Sequence, residues 1–363
     1  MDTRPRPSEL VLCPTPSRRP ELKLRLPLLF AKQFAVRLAN SPSKSPWPPL
    51  LLALGLILTT RYVVFSPFAM RGWARVLEAR ELGFRQHDVV RQAAILGRPA
   101  PAHTRWLAMG SSQAARLWTR PAVERDDVAR FTMSGMSPFD LWLHREVLDH
   151  WKPEGVLLYL SGFDMARPPA LEAMPLAPPQ RGGWPVLLDT LRLADAWPEA
   201  RRTAVRDLAI GELLPEYRWR FLPRGLVQAG VDRALLTEAE RTPPPRRPMP
   251  ERVALVRDEG LTASAMNLHF AALERFLDET RARGIDVVIV QGEVYPGAYV
   301  GESARVNDAV IERLSEVAAR RDDVRFLPSD ALPPVGEADF EDGLHLSFDA
   351  GERLGLAVLQ RLE

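Results

Sequence analysis

Asp342-Gly343-Leu344-His345 is followed by Leu346-Ser347-Phe348-Asp349-Ala350-Gly351 and an apolar-periodic run to Glu363. An Asp three residues before a His, in a glycine-bearing turn that leads into a helix, lets the carboxylate reach the imidazole. It can then fix the tautomer and stabilise the imidazolium. A base built this way needs a nucleophile. Far upstream, Trp106-Leu107-Ala108-Met109 predicts a buried strand, and Gly110-Ser111-Ser112-Gln113 follows at a strand-to-helix turn. Taken alone, Ser112 would read as the N-cap of the next helix; for His345 the lesser alternative is a satisfied turn histidine. Their order along the chain, Ser then Asp then His, and their placement at element ends favour a serine-hydrolase arrangement.

The elements that must position these groups follow from hydrophobic patterning. Strand-like runs at 104–109, 128–133, 155–161, 285–291 and 323–327 alternate with helical ones. Their continuous apolar character predicts burial on both faces, as in a parallel sheet covered by helices. A helix over about 264–283 is marked by Leu268, Ala271, Leu273, Phe276 and Leu277, and Gly284 stops it. Ligands of such sheets sit at the carboxyl ends of the strands, where the Gly110 turn falls.

The chain has 363 residues and a net charge of +2, unevenly spread. Nine basic and three acidic residues precede Ser45, which leaves 39 bases against 43 acids, a net of −4, for the remainder. The basic character belongs to the tail and argues against a nucleic-acid-binding domain. Cys13 is the one cysteine, so neither an intramolecular disulfide nor a thiol-based zinc site is expected. His87, His103, His144, His150 and His269 show no metal-ligand spacing, and there is no GxGxxG or P-loop, so no metal or cofactor is implied.

Residues 1–46, with Pro, Ser and Arg and no apolar periodicity, predict a disordered basic cytoplasmic tail. Residues 47–70 approach the roughly 20 apolar residues that cross a hydrocarbon core, with Arg61 as a costly interruption. A single-pass anchor is expected there, the alternatives being a buried helix or an uncleaved signal-like segment. The preceding bases would hold the N-terminus inside and put the rest outside the cytoplasm. Residues 71–103 predict a juxtamembrane helical linker ended by Pro99-Ala100-Pro101, and 104–363 the α/β domain. Within it, about 166–262 breaks the pattern with prolines and with Trp184, Trp197, Tyr217, Trp219 and Phe221. This stretch predicts a helical insertion at the rim of the site, either a lid or docking surface or a small core of its own.

Over roughly 104–165 and 264–363 the chain resembles the SGNH/GDSL hydrolase superfamily. Its G-x-S block matches Gly110-Ser111-Ser112, which implies Ser112 as nucleophile and its backbone N–H as an oxyanion donor. The second block matches Phe131 to Ser137, with Gly135 as a further oxyanion amide. The third, G-x-N-D, is matched by Gly162-Phe163-Asp164, where Asp164 stands in place of the Asn that would complete the oxyanion hole. The D-x-x-H block is Asp342 to His345 without departure.

The resemblance implies a flavodoxin-like three-layer α/β/α sandwich with about five parallel strands, here preceded by a transmembrane helix. It also implies catalysis by Ser112, His345 and Asp342. An anchor before an extracytoplasmic G-S-S domain resembles the teichoic-acid D-alanylation protein D and the alginate O-acetylation proteins. Those work beside membrane-bound O-acyltransferases on surface polymers. The implied activity is a membrane-bound esterase or O-acyltransferase acting on acylated glycan. The alternative, motivated by Asp164, is a weak or inactive scaffold that binds such an acyltransferase.

Overall fold

The computed structural model describes residues 47–64, 103–118, 127–167, 188, 192–193, 210 and 248–363. The tail expected at 1–46, all but the last residue of the linker expected at 71–103, and most of the insertion at 166–262 lie outside these residues. The chain divides into two units, Met1–Thr60 and Arg61–Glu363.

Helix α1 is Trp47–Val64. Pro48 and Pro49 fall in its first turn, where proline removes no intrahelical bond, and its Leu50, Leu51, Leu54 and Leu56 are exposed. Among the described residues no helix is long and apolar enough to cross a membrane. The rest of the expected anchor, 65–70, is outside the described residues.

In the larger unit β1 (Trp106–Gly110) leads into α2 (Ser112–Trp118), then β2 (Val128–Thr132), α3 (Pro138–Leu143) and α4 (Val147–Trp151). β3 (Gly155–Leu160) and α5 (Gly162–Ala166) follow; α6 (Met249–Glu259) and α7 (Ala263–Ala282) precede β4 (Asp286–Gln291). α8 (Glu302–Ala319), β5 (Val324–Leu327), two short 3-10 turns and α9 (Phe348–Gln360) close the order. The strands match the predicted runs to within two residues at either end. α7 ends where Gly284, at φ +67°, takes a conformation that L side chains rarely adopt.

All pairings are parallel, in the order β2-β1-β3-β4-β5. This is the doubly wound 2-1-3-4-5 order, whose direction switches between β1 and β3. Alternate residues of each strand face opposite layers. Leu107, Met109, Leu158 and Ile289 pack with Phe270, Phe276, Val310 and Leu314 of α7 and α8. Ala108, Leu157, Tyr159 and Val290 pack with Ala114 and Leu117 of α2 and Leu354 and Val358 of α9. The α/β/α layering expected from the continuous apolar strands is thus present.

On the second face, α2 and α9 approach through glycine. A Cβ at Gly351 would lie 2.5 Å from the Arg116 carbonyl oxygen and 2.8 Å from its carbon. Alanine in a helix interior ordinarily gains about 0.5–1 kcal/mol over glycine, whereas overpacking costs about 1–3 kcal/mol. The contact is to backbone, which cannot swing aside, so the second effect should win. Gly351→Ala is expected to lower the urea midpoint of unfolding with its m-value unchanged; a raised midpoint would show that the helices part freely.

Candidate active site

β1 delivers its serines through a turn that requires glycine. Gly110 has φ +145°, and a Cβ there would meet the Ala114 side chain at 2.8 Å and the Tyr159 carbonyl at 3.2 Å. The two serines that follow point different ways. Ser111 is 2 % exposed, and its Oγ accepts the Gln113 N–H at 3.2 Å and bonds Asp164. Ser112 is partly exposed, and its Oγ lies 2.7 Å from His345 Nε2.

The other ring nitrogen, Nδ1, lies 2.9 Å from Asp342 Oδ2 and 3.0 Å from Oδ1. With Nδ1 as the protonated nitrogen facing the carboxylate, Nε2 is left to accept the Ser112 proton. Asp342 Oδ1 also accepts the Leu344 N–H at 2.8 Å and the His345 N–H at 2.7 Å, so the carboxylate that orients the ring also closes its own turn. Burial by itself would raise the Asp342 carboxyl. The hydrogen bond and charge of His345, joined by the two backbone N–H groups, outweigh it and bring the carboxyl from 3.8 to about 2.

The turn is held from several sides. Phe340 bridges Leu346, the Glu341 N–H donates to the His345 carbonyl at 2.8 Å, and the Ser347 N–H to the Asp339 carbonyl at 2.7 Å. From the loop after β4, the Tyr295 N–H donates to the Gly343 carbonyl at 3.2 Å. Ser347 caps α9 by accepting the Ala350 N–H.

Gly135 occupies a β-turn after β2, where the Met136 N–H donates to the Met133 carbonyl at 3.0 Å. Its φ of +63° is the value that favours glycine at such a position. The Met133 N–H donates to the Gly110 carbonyl at 3.1 Å, which joins this turn to the one bearing Ser112. Arg167, whose guanidinium lies over the Phe163 ring, donates to the Gly135 carbonyl at 3.1 Å. Its own carbonyl lies 2.9 Å from Nε2 of the fully buried His269, whose imidazole burial brings down to about 4.

Asp164 is 4 % exposed at the third position of α5. Its Oδ2 accepts the Ser161 N–H at 3.0 Å and the Ser161 hydroxyl at 2.9 Å, a reciprocal capping box. Burial pushes this carboxyl up, against the hydrogen bonds from Ser161 and Ser111 and the charge of Arg167. Its acceptor oxygens are thus directed to the local backbone and to neighbouring serines. Beside it, a Cβ at Gly162 would run into the Asn307 side chain of α8.

Ser112, His345 and Asp342 therefore form one hydrogen-bonded row at the carboxyl end of β1, next to the switch point. Gly135 and Asp164 sit on the turns after β2 and β3. Sequence patterning did not pick out Arg116, Glu341, Arg167 or Asn307. Arginines and acids read as solvated charge, and no local spacing links partners that lie far apart in the chain. No family model matches the chain, and no curated protein matches it.

The lowered Asp342 carboxyl has a definite pH consequence. A carboxylate whose folded value lies below its unfolded one contributes stability that is present above the unfolded value, near 3.8, and is lost as pH falls towards about 2. Asp342→Asn lacks that contribution. The gap in urea midpoint between wild type and Asp342→Asn should narrow as pH drops through this window; a constant gap would mean the carboxylate's charge does not stabilise the fold.

Proposed function

We propose that the protein is a membrane-anchored, SGNH-type serine acyl-esterase or O-acyltransferase acting on acyl groups of cell-surface polysaccharide or glycan. The observation that carries this reading is the Ser112–His345–Asp342 row, with 2.7 Å and 2.9 Å contacts. The five-strand parallel sheet, the turn position of Gly135 after β2 and the place of Gly162 at the start of α5 after β3 support it.

In this reading Ser112 Oγ attacks the acyl carbonyl carbon while His345 Nε2 takes its proton. The resulting oxyanion is met by the backbone N–H groups of Ser112 and Gly135. The intermediate collapses as His345 returns the proton to the leaving alcohol, and the acyl group remains as an ester on Ser112. A sugar hydroxyl or water, deprotonated by His345, attacks that ester; the same proton then restores the Ser112 hydroxyl. Asp342 keeps the ring in register and stabilises its cation throughout. Exclusion of water decides transfer over hydrolysis.

A specific observation favours a second reading. Asp164 directs its oxygens to Ser161 and Ser111 and so supplies no amide donor of the kind the superfamily's Asn would, and loss of one oxyanion donor typically costs about 10²–10³ in rate. A catalytically weak scaffold that binds a membrane-bound O-acyltransferase follows from it. Turnover of a small acetyl ester and labelling by a fluorophosphonate separate the two, because the scaffold does neither.

Ser112→Ala, His345→Ala and Asp342→Asn should each lower ester turnover greatly, without multiplying when combined, because such residues act as a unit. Ser111→Ala should retain Ser112 labelling. Abolished labelling in Ser111→Ala beside normal labelling in Ser112→Ala would reverse the assignment.

The anchor is part of the proposal, supported by the exposed leucines of α1 and the basic residues before it. A periplasmic- or surface-active reporter fused after Glu363 is expected to work, and a cytoplasm-only reporter to stay silent. The opposite pattern would remove the surface-polymer substrate along with the anchor.

A further inference from the structure

The two halves of the Ser112–His345–Asp342 row come from segments 233 residues apart. Each carries a charged neighbour that faces the other. Arg116 lies one helical turn beyond Ser112 on α2, and Glu341 immediately precedes Asp342. Arg116 Nη2 donates to Glu341 Oε2 at 3.0 Å, with 20 % and 22 % of the two side chains exposed. The same guanidinium lies 4.1 Å over the ring of Phe348, the first residue of α9. Arg116 thus grips both ends of the Asp342–His345 turn, on the entry side by an ion pair and on the exit side by a cation–π contact. Its backbone is also the surface against which Gly351 packs.

We infer that Arg116 and Glu341 are positioning residues, a charged clamp that sets the distance between Ser112 and His345 for the acyl transfer proposed above. The turn from Asp339 to Ser347 is closed by its own backbone bonds, so it moves as a unit. A tether at Glu341 therefore fixes the imidazole as well. Acting on geometry rather than chemistry, the clamp should show itself in rate. Partly exposed ion pairs add little to stability, whereas a displacement of about 1 Å at a reacting pair can cost about 10²-fold in rate. The guanidinium both bonds Glu341 and stacks on Phe348, so lysine at 116 keeps the charge but not the planar contact.

The test uses the full chain in detergent, with turnover of a small acetyl ester, fluorophosphonate labelling rate and melting temperature. Arg116→Glu and Glu341→Arg should each lower kcat and the labelling rate by about 10²-fold, with KM and melting temperature little changed. The double reversal should recover most of the loss, and Arg116→Lys, which keeps the charge without the planar stack, should fall between wild type and Arg116→Glu. Arg116→Gln serves where the reversal does not fold. A second measurement needs no activity: the downfield proton resonance of His345 Nδ1–H, identified by its absence in His345→Ala. It should shift in each single reversal and return in the double. Folded single reversals with wild-type kcat and an unmoved resonance would overturn the clamp, as would a double reversal that recovers neither. If wild type neither turns over ester nor labels, the acyl-transfer reading falls, and the resonance alone decides the clamp.

Discussion

The close approach of α2 and α9 over one face of the sheet is the constraint on which the site depends. Ser112 begins the first helix, and His345 stands just before the second. Neither helix reaches the other by sequence. They meet because Ala114 and Leu117 on one, and Leu354 and Val358 on the other, cover the same stripe of Ala108, Leu157, Tyr159 and Val290. Burial of that stripe brings the helices over one surface without direction or register. Gly351 admits the Arg116 backbone, and the Arg116–Glu341 pair adds the direction. A hydroxyl and an imidazole 2.7 Å apart are the consequence.

Asp342 shows how few groups suffice once the helices are placed. Its two oxygens serve the ring nitrogen and two backbone N–H groups of its own turn. The imidazole is thereby oriented within its own turn, which Tyr295 and Arg116 then hold from other parts of the chain. The bonds to the Asp342 oxygens hold the carboxyl ionised well into acid. Structural and chemical roles coincide in that one side chain.

The segments after β2 and β3 are coupled to this centre by one backbone bond and by the side chains of Arg167 and Asp164. The Met133 N–H rests on the Gly110 carbonyl, and Arg167 reaches from the end of α5 to the Gly135 carbonyl. Asp164 is absorbed into the capping box of α5 and bonded to Ser111. A residue that reads in sequence as a substitution in an oxyanion donor set is, in the folded chain, a cap that ties β3 to the β1 turn.

What the sequence by itself determined is what local forces decide. The apolar runs set the strands to within two residues; the expected burial on both faces holds for β1, β3 and β4, whereas the edge strands β2 and β5 have a neighbour on one side alone and stay partly exposed. Gly284 set the end of α7, and the Asp342-x-x-His345 spacing set a turn in which the carboxylate bonds groups two and three residues ahead of it. The G-x-S resemblance pointed to Ser112, but no local pattern separates two adjacent serines, and tertiary structure turned the hydroxyl of Ser112 rather than that of Ser111 toward His345. It also decided the partners of Asp164, Arg116, Glu341 and Arg167. Those contacts join segments that no periodicity relates, and they form only after the sheet has ordered the chain ends that carry them.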